Sequence, residues 1–338
     1  MSLTTHLLGA AGQDNALLVQ VDSGQSVERL LFDCGEGCLS GLPFAEIQAI
    51  DHLLFSHQHM DHVAGFDTFF RGTFDRDSRP NQIWGPPGTA RILQHRFQGF
   101  LWNLHEVMSA SWRVSDVYTN QVHTFRCELS EAFREAHDEG LRTYAGMVLE
   151  GEGYTVEAIS LDHKTTTLGY IVREKPRSNI NTSRLAKLGL KPGPWLKQLK
   201  EAAPGQATLL VNGTEMAVAN LRAQLLVETP GDAVAYLTDF LLHDATMERL
   251  VVALQGCPLI YCEGQYRHAD LQLARKYHHT TTVQVATLAR RAGVQELVLF
   301  HLSARYQPSD WLDMLEEARA IFPNTRFTPE WGLETQVS

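Results

Sequence analysis

The sequence predicts an α/β (α+β) fold, and three observations predict it. Short apolar runs of roughly five residues recur between stretches of helical character, the pattern of buried strands packed against helices. Several of these runs stop on a histidine or a carboxylate. The chain has 338 residues and is 44% hydrophobic, enough to bury a large core in one big domain or two small ones.

Ala16 to Val21 is apolar and β-prone, Asp22-Ser23-Gly24-Gln25 has turn chemistry, and Arg29 to Asp33 returns as a second strand. Gly35-Glu36-Gly37 breaks that strand. Residues 44–50 form a short helix, and His52 to Ser56 is a buried strand. Val63 to Arg71 is a helix laid on the sheet. Gln82-Ile83-Trp84 is a short strand closed by Gly85-Pro86-Pro87-Gly88, and Thr89 to Phe100 is a helix. Residues 101–150 mix aromatics with acidic residues near 128–139 and show no clear period, so they predict no element.

Tyr154 to Ser160 alternates as a strand, is followed by Leu161-Asp162-His163, and pairs with Gly169 to Arg173 as a hairpin. Ala233 to Leu237, Leu259 to Glu263 and Glu296 to Phe300 are buried strands. Thr281 to Ala292 is an amphipathic helix with threonines at its start as caps. A last helix starts at Pro308-Ser309-Asp310 and runs to Ile321, with Ser309 as its N-cap. No internal repeat is visible.

The formal net charge of −10 argues against a generally basic nucleic-acid coat. One stretch reverses the balance. Between 173 and 200, Arg173, Lys175, Arg177, Arg184, Lys187, Lys191, Lys197 and Lys200 face only Glu174. Pro176, Pro192, Pro194 and Pro204 punctuate it. The expected organisation is a single domain over 1–338 with this basic Pro/Gly-containing arm inserted at 173–204. The run is either a solvated surface loop or a phosphate-backbone contact, since clustered cations gain affinity by displacing counterions. Its RNA-binding candidates are Arg184, Lys187, Lys191, Lys197 and Lys200.

No apolar run reaches the roughly 18 residues of a membrane span, and the first residues lack a signal-peptide pattern. Cys34, Cys38, Cys127, Cys257 and Cys262 are odd in number and irregular in spacing. That fits reduced thiols and a cytoplasmic protein. Cys34-x-x-x-Cys38 has no second Cys or His pair to complete a metal knuckle.

The chemistry is concentrated in His57-Gln58-His59-Met60-Asp61-His62, directly after a buried strand. Three imidazoles and a carboxylate brought into one small volume suit Zn²⁺, with Mn²⁺ or Fe²⁺ as substitutes. This is half of a two-metal hydrolytic site. The other half comes from strands that end on His163, Asp239, Glu263 and His301, since rigid strands place ligands well. Two ions about 3.5–4 Å apart need a bridging carboxylate and about three further ligands each. His57, His59 and His163 are assigned to one ion, Asp61, His62 and His301 to the other, and Asp239 bridges.

These residues resemble the metallo-β-lactamase superfamily and, within it, the ribonuclease Z family, which cuts the 3′ trailer from precursor tRNA. The likeness runs from about residue 28 to the C-terminus and is weaker over 94–150. It is carried by Phe32-Asp33-Cys34-Gly35-Glu36, Trp84-Gly85-Pro86-x-Gly88, His163 with Gly169-Tyr170, and Lys191-Pro192-Gly193-Pro194-Trp195-Leu196-Lys197. The strongest parts are His279-Thr280-Thr281-Thr282-x-Gln284-x-Ala286 and Phe300-His301-Leu302-Ser303-x-Arg305-Tyr306.

The resemblance implies a four-layer αββα sandwich with a protruding flexible arm that grips tRNA, two divalent metal ions per subunit, and a homodimer. It implies that His279 works with Glu263 near the scissile phosphate, protonating the leaving oxygen. Asp61 would orient the attacking water or accept its proton, and Ser303 and Arg305 would hold phosphate oxygens.

Three positions depart from the family pattern. Met60 stands where a glycine is usual, at a turn that tolerates left-handed geometry. Phe240 stands where threonine usually follows the bridging aspartate. The loop Leu8 to Asn15 lacks a Pro- and Arg-containing insertion. These departures keep open a phosphodiesterase or other hydrolase acting on a small or non-tRNA substrate. A third expectation is a metal-stabilised binding module without activity.

Overall fold

The computed structural model describes residues 2–203 and 205–333; Pro204, expected to punctuate the basic arm, lies outside them. The described chain divides into two compact units, Met1–Arg173 with Asp232–Ser338, and Glu174–Gly231.

The larger unit is built on two sheets. The first has eight strands in chain order: Ser2–Leu8, Ala16–Asp22, Val27–Phe32, His52–Leu54, Asn81–Gly85, Ser111–Val117, Gln121–Glu128 and Ala136–Thr143. The four middle strands from Val27 to Val117 run parallel, and antiparallel strands flank them on both sides. The second has seven, in the order Thr325–Arg326, Glu296–Phe300, Leu259–Glu263, Ala233–Leu237, Thr166–Glu174, Tyr154–Asp162 and Met147–Glu150. Its first four strands are parallel to one another.

Three buried clusters define the layers. Leu17, Phe32 and Leu54 of the first sheet meet Tyr170, Tyr236 and Phe300 of the second. Phe66, Phe69, Phe70 and Phe97, on helices Phe66–Thr73 and Thr89–Phe97, cover the outer face of the first sheet against Trp112. Val285, Ala289, Met314 and Ala318, on helices Thr282–Ala292 and Pro308–Arg319, cover the outer face of the second. The larger unit is thus a four-layer αββα sandwich. Strands buried on both faces read as continuous apolar runs, which is why Ala233–Leu237, Leu259–Glu263 and Glu296–Phe300 were legible from sequence.

The unpredicted strands have a different chemistry. Ala136–Thr143 is an edge strand with almost every side chain exposed, and Gln121–Glu128 beside it is mostly half-buried. Charged pairs such as Arg113 with Glu139 replace the apolar alternation there, so residues 101–150 show no period although they hold three strands of the first sheet and one of the second. The expected helix over 63–71 is two helices, Met60–Val63 and Phe66–Thr73. They break at Gly65, where a Cβ would meet the Gly35 carbonyl oxygen at 2.1 Å.

The expected cap Ser309 is also corrected. Pro308 takes the first helical position, so Gln307 is the N-cap and Asp310 completes its capping box. Thr281 caps Thr282–Ala292 in a capping box with Gln284, as the threonine run suggested.

The smaller unit extends well past the basic stretch that composition marks at 173–204. Strands Arg177–Ile180 and Leu226–Thr229 pair antiparallel and form a stem. Between them lie helices Thr182–Lys187, Trp195–Glu201 and Val218–Leu225 and the hairpin Thr208–Val211 with Thr214–Ala217. Trp195, Leu199, Val211, Leu221 and Leu225 form its own core. Trp195 is therefore an anchor, and its indole N–H donates to the Lys191 carbonyl at 3.1 Å.

Candidate active site

The site is a cluster of strand ends in the larger unit, and backbone conformation aims it. Asp33, Lys164, Asp239, His278 and His301 all have φ between 51° and 60°. A residue with a Cβ rarely adopts this left-handed conformation, and such strain gathers at functional sites. At Asp33, Asp239 and His301 the chain has just left a buried strand, and the left-handed step turns each side chain into the cluster.

Asp239 lies at the centre and is 2% exposed. Its Oδ2 is 3.5 Å from His57 Nε2, 3.4 Å from His62 Nε2 and 3.6 Å from His163 Nε2. Its Oδ1 is 3.2 Å from His301 Nδ1. Asp61 Oδ2 is 3.5 Å from both His62 Nε2 and His301 Nε2.

Two ligand-type groups result, each with its atoms within 4.8 Å of one another: His57, His59, His163 and Asp239; and Asp61, His62, Asp239 and His301. These are the two sets read from the sequence. A third group joins Asp239 and His301 to Glu263 and His279.

The donor set fits a divalent cation. His57 Nε2 and His62 Nε2 are fully buried, face carboxylate oxygens and have no hydrogen-bond partner among the described residues, a costly state for polar atoms unless a cation takes them. Electrostatics point the same way. Burial and the neighbouring His62 push His57 down to about 2, so its ring is neutral. Burial also opposes charge on His301, yet Asp239, Asp61 and Glu263 draw it up to about 10. His62 is raised by Asp239 and Asp33 against its own burial. The carboxylates therefore favour positive charge at His62 and His301, the sense in which they would also favour a bound cation.

The supporting groups are mostly ones that sequence reasoning did not assign. Asp33 is fully buried, with its Oδ2 2.7 Å from His62 Nδ1. It also accepts from the Ser56 amide, the Ser56 hydroxyl and the Tyr236 hydroxyl. This directs His62 Nε2 into the cluster. Asn15, buried in the short loop before its strand, accepts the His301 amide at 3.2 Å. His163 donates from Nδ1 to the His278 carbonyl at 2.8 Å, which leaves Nε2 for the cluster. Asp33 stands in the Phe32–Glu36 motif without an assigned role, and nothing in the sequence marks Asn15.

Met60 and Phe240 resolve simply. Met60 opens the right-handed helix Met60–Val63 and is 79% exposed, so the position demands no left-handed glycine. The turn is held instead by the Cys34 amide donating to the His62 carbonyl and the Gly65 amide to the Cys34 carbonyl. Phe240 is fully buried among Leu237, Leu242 and Ile260, and its amide donates to Glu263 Oε1 at 3.3 Å.

Glu263 is fully buried and ties together the remaining chemistry. Its Oε2 is 2.8 Å from His279 Nδ1, and its Oε1 also accepts the Thr280 amide at 3.0 Å. Burial opposes charge on His279, but Glu263 raises its pKa. A cavity of about 450 Å³ opens onto this edge, lined by His59, His163, Tyr266, His279 and Arg305. The Arg305 guanidinium stands 5.4 Å over the Tyr266 ring. Ser303 does not line that cavity, and its hydroxyl accepts the Arg305 amide at 3.4 Å. The candidate cations Arg184, Lys187, Lys191, Lys197 and Lys200 are all exposed and belong to the smaller unit. Arg184 and Lys187 line a groove there with Leu188 and Gln224.

Similarity to known proteins agrees with this architecture. Residues 28–180 match the model of the beta-lactamase superfamily domain. The chain is 52% identical to "Ribonuclease Z" of Deinococcus radiodurans, covering 97% of this chain and 98% of that one. It belongs to the ribonuclease Z family. A second member, "Ribonuclease Z" of Trichodesmium erythraeum, is 29% identical over 93% of this chain and 90% of its own.

Two solved structures share the fold. The metallo-beta-lactamase fold protein YhfI from Bacillus subtilis has a TM-score of 0.56 at 15% identity, covering 97% of this chain and 96% of that one. The short form of human tRNase Z has a TM-score of 0.52 at 19% identity, covering 91% and 94%.

Asp33 gives a direct test of the support around His62. Asp33→Asn should weaken divalent-metal affinity by about 10–100-fold, because His62 loses its anionic partner. Competition against a chromophoric chelator measures it, and unchanged affinity would mean that His62 needs no orientation from Asp33.

Proposed function

We propose that this chain is a metal-dependent endoribonuclease that removes the 3′ trailer from precursor tRNA. The supporting observation is the 52% identity to a ribonuclease Z over nearly the whole of both chains, together with the His279–Glu263 pair at the edge of the Asp239 cluster. His57, His59, His163 and Asp239 would hold one divalent ion, and Asp61, His62, His301 and Asp239 a second. Zn²⁺ suits these donors first, with Mn²⁺ or Fe²⁺ as substitutes. Bound ions would lower the pKa of water and offset charge on the phosphoryl oxygens.

The chain's own residues account for the rest of the reaction. Asp61, whose carboxyl His301 and His62 keep ionised in spite of burial, orients the attacking water by accepting its hydrogen bond, and the water's proton leaves to solvent. Water adds to phosphorus and the bond to the 3′-oxygen breaks. His279, whose hold on a proton Glu263 strengthens, gives its proton to that oxygen. The products are a 3′-hydroxyl and a 5′-phosphate. Arg305, pinned over Tyr266, balances a non-bridging phosphate oxygen; Ser303 fixes the Arg305 backbone.

The basic face of the smaller unit holds the RNA backbone through Arg184, Lys187, Lys191, Lys197 and Lys200. The protein acts as a homodimer. Phe100, Leu101, Leu104 and Val107 are exposed apolar residues on one stretch, beside a cleft lined by Phe70, Phe74 and Trp102, and such a patch favours a partner surface. Light scattering should return the mass of two chains; a monomer would leave that patch unexplained.

Two variants test the chemistry and the substrate. His279→Ala should keep its metal and lose about 10²–10⁴ in kcat on precursor tRNA; unchanged turnover would remove His279 from the mechanism. Removing residues 178–228 and closing the stem between Arg177 and Thr229 should abolish most activity on precursor tRNA and spare a small chromogenic phosphodiester. Equal effects on both substrates would count against an RNA-gripping arm; the second reading, a phosphodiesterase for small molecules, rests on the solvent-open cavity at His279.

A further inference from the structure

One further cation stands at the active-site cavity. Lys164 lines the same cavity as His163, His279 and Arg305. It is exposed, and no carboxylate among the described residues pairs with its side chain. Its backbone is left-handed, with φ of 60°. Glycine or asparagine would sit in that conformation with less strain.

The turn that carries Lys164 is tightly specified. The His163 amide donates to the Thr165 carbonyl at 3.0 Å, and the Lys164 amide donates to Asp162 Oδ1 at 2.9 Å. Asp162 Oδ2 lies 3.4 Å from His278 Nδ1, so one carboxylate ties this turn to the segment that presents His279. Lys164 is therefore fixed in its backbone and free at its ammonium. Arg305 shows the opposite arrangement, with its guanidinium stacked on an aromatic ring. A compact ammonium on a flexible stem suits a phosphate that approaches as a point charge.

We propose that Lys164 is a specificity-determining contact to a backbone phosphate of the RNA next to the cleaved bond. This rests on the endoribonuclease reading above. The contact is present in both bound substrate and transition state, so it acts on binding more than on turnover. A substrate lacking flanking phosphates gains nothing from it.

Steady-state cleavage of precursor tRNA across a salt series, with the metal-loaded enzyme, tests this. Lys164→Met should raise KM about 3–10-fold with kcat within about two-fold, and flatten the salt dependence of kcat/KM by roughly one unit of log–log slope. Lys164→Arg should restore both. Lys164→Gly should repeat the Met effect without lowering the melting temperature, because glycine accepts the left-handed turn. Wild-type KM and salt slope in Lys164→Met would overturn the proposal. So would a loss that Lys164→Arg shares in full, or one that tracks a lowered melting temperature, since either marks a structural role. Absence of precursor tRNA cleavage by the wild-type enzyme would instead overturn the endoribonuclease reading, and this contact with it.

Discussion

Everything at this site depends on placing one carboxylate, that of Asp239, among histidines in a dry setting. Isolated burial of a carboxylate is expensive. Here His301 and His62, with His57 and His163 close by, hold Asp239 ionised in spite of its burial. The same constraint fixes the backbone. Asp239 sits at φ of 51° directly above a five-residue strand that is wholly buried. The rigid strand absorbs the strain of the left-handed step, and the step aims the carboxylate.

The fold supplies the other sides of the cluster from separate strand ends. His57, His59, Asp61 and His62 follow one strand of the first sheet. His163 and His301 follow two strands of the second, and Glu263 is the last residue of a third. Asp33 and Asn15, which flank strands of the first sheet, then brace His62 and His301. The face-to-face packing of the two sheets through Phe32, Tyr170, Tyr236 and Phe300 is therefore part of the active-site geometry. Tyr236 makes the link explicit, since its ring lies in the inter-sheet core and its hydroxyl donates to Asp33 at 2.9 Å.

Much of this was legible in the sequence because the relevant strands are buried on both faces. Ala233–Leu237, Leu259–Glu263 and Glu296–Phe300 leave an apolar run that ends on a ligand-type residue, and both ligand groups followed from that pattern. What the sequence hid has a physical reason in each case. Ala136–Thr143 is an exposed edge whose charged pairs erase alternation. Residues 205–231 complete a small core with Trp195, but their composition is ordinary, so the basic run marked only half of the inserted unit. Met60 suggested a strained turn because a side chain replaces a usual glycine, whereas that position begins a right-handed helix. Asp33 braces His62 from 29 residues away, a relation that no local spacing expresses.

The most direct measurement of the central claim is the metal content of Asp239→Ala beside the wild-type chain. Both would be purified without chelators and checked for equal folding by circular dichroism. An Asp239-centred site predicts two divalent ions per wild-type chain and fewer than one in the variant, because both ligand groups share that carboxylate. A folded variant that keeps two ions would contradict the account.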